Sequence, residues 1–131
     1  MEVVAGRSRR LTLLVTWDHG HVVKEHPIFA GLPSGGLMGQ TYENVWAKRT
    51  LTGLDTKPIV GSVTHDFYPL KRNKPNYLGP ESAWWGTDLG VVKQGEGRFV
   101  LSALRLVENL AKDPVADKTL LNLTKFSAAS E

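Results

Sequence analysis

The sequence predicts an α/β domain: a small mixed sheet of short strands with one C-terminal helix packed against it. Three observations carry this expectation. "RLTLLVTW" (Arg10 to Trp17) is dense in leucine and β-branched residues, "DLGVVKQGEGRFVLSAL" sets two apolar runs either side of a glycine turn, and "DPVADKTLLNLTKFS" opens with a helix cap. At 131 residues with 41% apolar composition, the chain has the length and core-forming content of a single domain over 1–131.

Taken in order, Arg10 to Trp17 reads as a strand that ends in the turn Asp18-His19-Gly20. "EHPIFAGLPSGG" (Glu25 to Gly36) has Pro27 at a first helical position and Pro33 and two glycines soon after, which limits it to one or two helical turns. In "ENVWAKRTLTGL" the residues Val45, Ala47 and Arg49 alternate with Trp46, Lys48 and Thr50, a strand pattern that Gly53 closes. "KPIVGSVTHDFY" reads as the next strand, with Gly61 marking a bulge or a close backbone approach. Pro69 to Pro80 combines three prolines with Lys71, Arg72 and Lys74 and reads as a surface loop.

Leu89 to Val92 and Phe99 to Leu104 form a hairpin around "KQGEG", whose glycines suit positive backbone angles. The Gly95-x-Gly97 pair lacks the third glycine and the following helix of a dinucleotide fingerprint, so it carries no phosphate-site reading. From Pro114 to Ser127 a helix is expected, capped by Asp113. Ala116, Leu120, Leu123, Thr124 and Ser127 would lie on its buried face, flanked by Leu121 and Phe126. That burial argues against using the sequon Asn122-Leu123-Thr124.

Charge and composition exclude several function classes. Sixteen Lys and Arg against thirteen Asp and Glu leave +3, spread thinly except for Arg7, Arg9 and Arg10, which is too weak a signal for nucleic acid. The absence of cysteine removes disulfides, thiolate metal sites and a cysteine nucleophile, while the compartment stays open. The apolar run Leu11 to Val15 is too short to span a membrane, and no cleavage site follows it, so neither a membrane nor a targeting signal is expected.

The candidate chemistry is sparse. His19, His21 and His65, with Asp18, His26 and Asp66 near them, are the only metal candidates; they fit no HExxH spacing and read better as turn and surface residues, so no metal or cofactor is expected. Ser34 sits in no nucleophile elbow, and the carboxylates Asp66, Glu81 and Asp88 form no pair that sequence spacing can identify. The aromatics carry more. In an extended segment Trp84 and Trp85 face opposite sides, so one can join the core while the other meets solvent, a sugar ring or a partner; Tyr77 and Trp46 are further contact candidates.

"EHPIFAGLPSGGL", "NVWAKRTLTGL" and the ordered run "YLGPESAWWGTDLGVVKQGEGRFVLSALRLVENLAKDPVADKTLLNL" together resemble the C-terminal region of bacterial family 2 glycoside hydrolases, the β-galactosidase-like enzymes, over about Glu25 to Phe126. That region is similar to class I glutamine amidotransferases. The resemblance implies a partial flavodoxin-like, glutamine amidotransferase-like layer fold. It also implies that the chain is a fragment or C-terminal module of a longer glycoside hydrolase. Amidotransferases of this type use a cysteine, which this chain lacks, and the hydrolase carboxylates belong to a separate barrel, so no catalytic residue carries over. Only His26-Pro27, Gly31, Trp85, Gly86, Gly97 and Asp113-Pro114 match, as structural positions.

The resulting expectation is a non-catalytic accessory or assembly module whose partners are other domains of a parent glycosidase or further copies of itself. Its rivals are a carbohydrate-binding module using Trp84 or Trp85 with Tyr77, and an enzyme using His19, His21 or His65. If preceding β-α units are missing, Leu11 to Trp17, with Trp46 or Trp84 as anchor, would face a second copy. Alternatively the first 24 residues fold back and complete the sheet within one chain.

Overall fold

The computed structural model describes residues 2–5, 7–10, 12–15, 20–65 and 83–129, and side chains within 20–63 and 85–129. β1 (Glu2–Ala5) and β2 (Arg7–Arg10) form a separate two-stranded sheet. The main sheet contains β3 (Thr12–Val15), β4 (Gly20–Val23), β5 (Gly36–Leu37), β6 (Arg49–Thr52), β7 (Val60–His65), β8 (Ala83–Gln94) and β9 (Gly97–Ser102). Its order is β3-β6-β8-β7-β4-β5, with β9 also paired to β8. The one α-helix among the described residues is α1 (Pro114–Ala128), and no described helix is long and apolar enough to cross a membrane.

The expected α/β combination of sheet and C-terminal helix is present, but the sheet is not mixed. Every pairing among the described strands is antiparallel. A parallel pair needs a long crossover between its strands, whereas β8 and β9 are joined by the tight turn Gly95-Glu96. The parallel units that a flavodoxin-like layer requires are not among the described strands. In that turn Gly95 alone has a positive φ, of 59°, so Gly97 is not needed for backbone freedom.

β8 organises the sheet because it is twelve residues long and pairs with three strands, β6 through Thr87 opposite Leu51, and β7 and β9. Its first half pairs with β7, from Ala83 opposite His65 to Leu89 opposite Val60, and its second half pairs with β9 as far as Gln94 opposite Gly97. The register shifts between Val60 and Gly61: Leu89 faces Val60 but Thr87 faces Gly61, which leaves Asp88 as an extra residue. This is the irregularity expected at Gly61, and it turns Asp88 and Leu89 to the same, inner side.

The core lies on that inner side. Val23, Val60 and Leu89 from the sheet meet Ile28, Phe29, Tyr42 and Val45 from the β4–β6 connection, Leu104 and Leu106 from the segment after β9, and Ala116 of α1. The expected short helix is the 3-10 turn Pro27–Phe29, where His26 Nδ1 accepts from the Ile28 amide at 3.2 Å. Tyr42 Oη donates to the Pro33 carbonyl and fastens the loop that follows.

Three local expectations need correction. The strand expected from Asn44 begins only at Arg49, because Arg105 takes the carbonyls that a neighbouring strand would need: its amide donates to Val45 O, Nε to Trp46 O and Nη2 to Glu43 O. Gly20, expected in a turn, and His21, expected as a turn or surface residue, lie in the strand β4, whose His21 and Val23 point inward. Third, α1 is rotated relative to the expected face: Ala116 and Thr119 are buried and Val115, Leu120, Leu123 and Phe126 pack on the core, while Leu121, Thr124 and Ser127 are exposed. The cap is as expected, with Asp113 Oδ1 accepting from the Val115 amide at 2.8 Å. At the other end Arg98 Nη2 donates to Phe126 O and Ala129 O, satisfying carbonyls at the helix terminus.

β3 pairs with β6 of the same chain, Thr12 opposite Thr52 through Val15 opposite Arg49. Residues of the N-terminal segment therefore complete the sheet internally and form its end strand, as the fold-back alternative requires. Leu11, Trp17 and the loop Pro69 to Pro80 lie outside the described residues.

Candidate functional site

Alternation along the central strands gives the sheet two chemically different faces. Inward go His21 of β4, Ser62 of β7 and Gly86 and Asp88 of β8; outward go Val22, Val63 and Trp85. The inner polar residues converge. His21 Nδ1 lies 2.9 Å from Asp88 Oδ2, and the Ser62 hydroxyl donates to the same carboxylate oxygen while lying 3.0 Å from His21 Nδ1. Trp46 stacks on the imidazole, with centroids 6.1 Å apart and planes 14° from parallel.

Serine, histidine and aspartate are the residue types of a hydrolytic triad, but this arrangement is not a relay. A relay places the carboxylate on one ring nitrogen and the nucleophile on the other, whereas here both oxygens meet Nδ1. Ser62 and Asp88 are also wholly buried, so no substrate reaches the hydroxyl in this conformation. What the cluster does is join β4, β7 and β8 at one point and pin their register. Asp88 Oδ1, Thr50 Oγ1 and Trp46 Nε1 are buried with no hydrogen-bond partner, so this part of the interior is not fully satisfied.

The outer face is apolar and open. Trp85 is 58% exposed and pairs across the sheet with Val63, itself 47% exposed; Val22 of β4 pairs with Leu37 of β5, and both are exposed. Gly61 makes the site flat: a Cβ there would lie 3.5 Å from Trp85 Cε3, so the indole lies over the glycine. Two shallow depressions flank the ring. One is apolar, walled by Val22, Pro58, Ile59 and Val63 with Lys24 at its rim. The other is lined by Thr52, Gly53, Thr56, Pro58 and Thr87.

The aromatic candidates therefore separate. Trp85 stands at the open face, while Trp46 is half-buried against the core and stacked on His21, a packing role rather than a contact surface. Trp84 lies in β8 opposite Thr64 of β7, with its side chain outside the described set; Tyr77 is outside it altogether. Of the metal candidates, His21 is a core residue, His65 pairs with Ala83 through its backbone, and His19 is outside the described residues. Among the described residues no group of three His, Cys, Asp or Glu side chains gathers to hold a metal. Of the carboxylates considered, Asp88 is committed to His21 and Ser62, while Asp66 and Glu81 are outside the described residues.

Sequence reasoning missed the His21–Ser62–Asp88 cluster and the threonine-lined depression. The one signal for the first was a polar residue at an inward position of an apolar strand, and its partner Asp88 is 67 residues away in the chain. No protein-family model, curated protein or solved structure matches the chain.

Proposed function

We propose that the chain is a non-catalytic accessory module of a carbohydrate-active enzyme, and that it assembles through the open face of its sheet. The observation that carries the docking surface is Trp85: a tryptophan 58% exposed, flanked by exposed Val63 and Val22, on the face turned away from α1 and the core. Large aromatics in apolar surroundings are the usual anchors of protein interfaces. The carbohydrate-enzyme setting rests on the sequence resemblance alone. Its flavodoxin-like layering would need parallel strands supplied from beyond the described residues, with α1 on the inner face as one layer.

Two features support the non-catalytic part. The chain has no cysteine to serve as an amidotransferase nucleophile. Its Ser62 hydroxyl is buried and spends its proton on Asp88. Assembly is tested by light scattering of the isolated chain, in which a second copy is the partner at hand. A mass that rises with concentration and returns to the monomer value in Trp85→Ser supports the reading. A cooperative monomer persisting at high micromolar concentration overturns assembly between copies. Turnover of glutamine or a nitrophenyl galactoside, abolished by Ser62→Ala, would overturn the non-catalytic part.

A further inference from the structure

The two depressions beside Trp85 differ in chemistry, and the threonine side makes a more specific demand than the apolar one. We infer that Trp85 and the depression lined by Thr52, Gly53, Thr56 and Thr87 form a subsite for one ring of a neutral saccharide. The inference deepens the accessory-module reading by assigning its open face a ligand class.

The argument begins with charge. No ionisable side chain lines this depression, although Lys24 rims its neighbour across the indole. An anion or a cation would lose hydration there without gaining a counter-charge, while an uncharged polyol would not. Shape is the second step. The indole lies over Gly61 and remains more than half exposed, so it offers a flat apolar face of the kind on which the C–H face of a pyranose packs. The depression beside it is shallow, about 110 Å³, with room for part of one ring rather than for a long chain.

Hydroxyls complete the match. Thr56 Oγ1 donates to Val91 O at 2.6 Å, which fixes its side chain and leaves its oxygen lone pairs to accept. The Cγ2 methyls of Thr87 and Thr56 both pack towards Gly90, where an added Cβ would lie 2.8 and 3.2 Å from them. Gly90 thus lets the two threonines sit side by side. Trp85 Nε1–H makes no hydrogen bond among the described residues, which leaves it a donor for a sugar hydroxyl. An aromatic plane bordered by alcohol groups and free of charge suits a ligand that is apolar on one face and hydroxylated at its rim.

The test uses the full chain and four probes: methyl β-glucoside, methyl β-galactoside, glucuronate and glucosamine. Amide NMR spectra are recorded below the concentration at which the chain associates. The expected result is saturable, millimolar binding of at least one neutral glycoside, with shifts at Gly53 and Thr87. That binding should be lost in Trp85→Ala and weakened several-fold in the isosteric Thr87→Val, whose unchanged unfolding midpoint would show that the fold is kept. Glucuronate or glucosamine binding as well as the neutral glycosides would overturn the charge argument. Unmoved amides with every probe would overturn the subsite, and would leave the docking reading intact if light scattering still shows Trp85-dependent association.

Discussion

Asp88 meets His21 in the core, Oδ2 against Nδ1 at 2.9 Å, although β7 lies between their strands. Alternation along β8 points Asp88 inward while Trp85 emerges on the other face, and the register shift then keeps Leu89 inward beside it. Ser62, on the intervening strand, closes the triangle. The cluster thus fixes the register that sets out the exposed face.

Removing the shared acceptor should therefore hurt more than removing one donor. A buried donor left unpaired costs about 1–3 kcal/mol, so Asp88→Ala, which takes the carboxylate from both His21 and Ser62 and leaves them only their 3.0 Å contact with each other, is expected to cost about that much. Ser62→Ala leaves the His21–Asp88 contact and should cost only about 1 kcal/mol. Denaturant titrations compare them; equal losses would mean that the carboxylate is not the centre of the cluster.

Gly86 is expected to tolerate no side chain. A Cβ at this position would lie 2.3 Å from Thr50 Oγ1 and 2.4 Å from its Cγ2, inside the sheet where neither strand can retreat. Overpacking of this kind costs about 1–3 kcal/mol, so Gly86→Ala should shift the unfolding midpoint by that much. Adding Thr50→Ala removes both atoms and should recover part of the loss, a coupling that a double-mutant cycle reads directly. Additive losses would place Thr50 elsewhere.

The Asp113 cap supports a third expectation. Its Oδ1 holds the Val115 amide while Oδ2 accepts from Asn44 Nδ2 at 3.0 Å, so one carboxylate starts α1 and ties it to the segment before β6. Asp113→Ala should cost about 0.5–2 kcal/mol. Asn44→Ala should cost less, because the cap survives it. A thermal or denaturant midpoint unchanged in Asp113→Ala would mean that the helix starts without it.

These residues also show what was legible in the sequence. Asp113-Pro114, the Gly95 turn and the Gly61 irregularity are local devices, each specified within a few residues, and each is found where expected. β4 was hidden because one of its two inward positions is a histidine, whose polarity breaks the apolar alternation that marks a strand. The strand expected at Asn44 to Lys48 shows the opposite failure: Val45 and Ala47 are buried in alternation, but the carbonyls around them belong to Arg105, about sixty positions later. At the site, alternation allowed one of the two tryptophans to meet solvent but did not say which; Trp85 does, and Gly61 of another strand lies under its ring.

His26 supplies a pH dependence whose sign can be worked out. Its Nδ1 accepts from the Ile28 amide and caps the Pro27–Phe29 turn, and its ring meets Phe126 of α1 edge-on with centroids 4.8 Å apart. Only an unprotonated Nδ1 can accept, and burial holds the imidazole below its ordinary value of 6.5. The charged group on the same ring is the Arg98 guanidinium, 4.4 Å from the Phe126 centroid, which has the sign of an imidazolium and cannot stabilise one. A folded-state value below the unfolded one means that the stabilisation is present above 6.5 and is lost as the pH falls through the folded-state value. His26→Asn keeps a capping acceptor and removes the titration. The expected outcome is a smaller drop in unfolding midpoint for His26→Asn than for the native chain between about pH 8 and about pH 5. Because His19, His21 and His65 are present in both proteins, the comparison isolates His26. Identical drops in the two chains would show that the cap does not depend on its protonation.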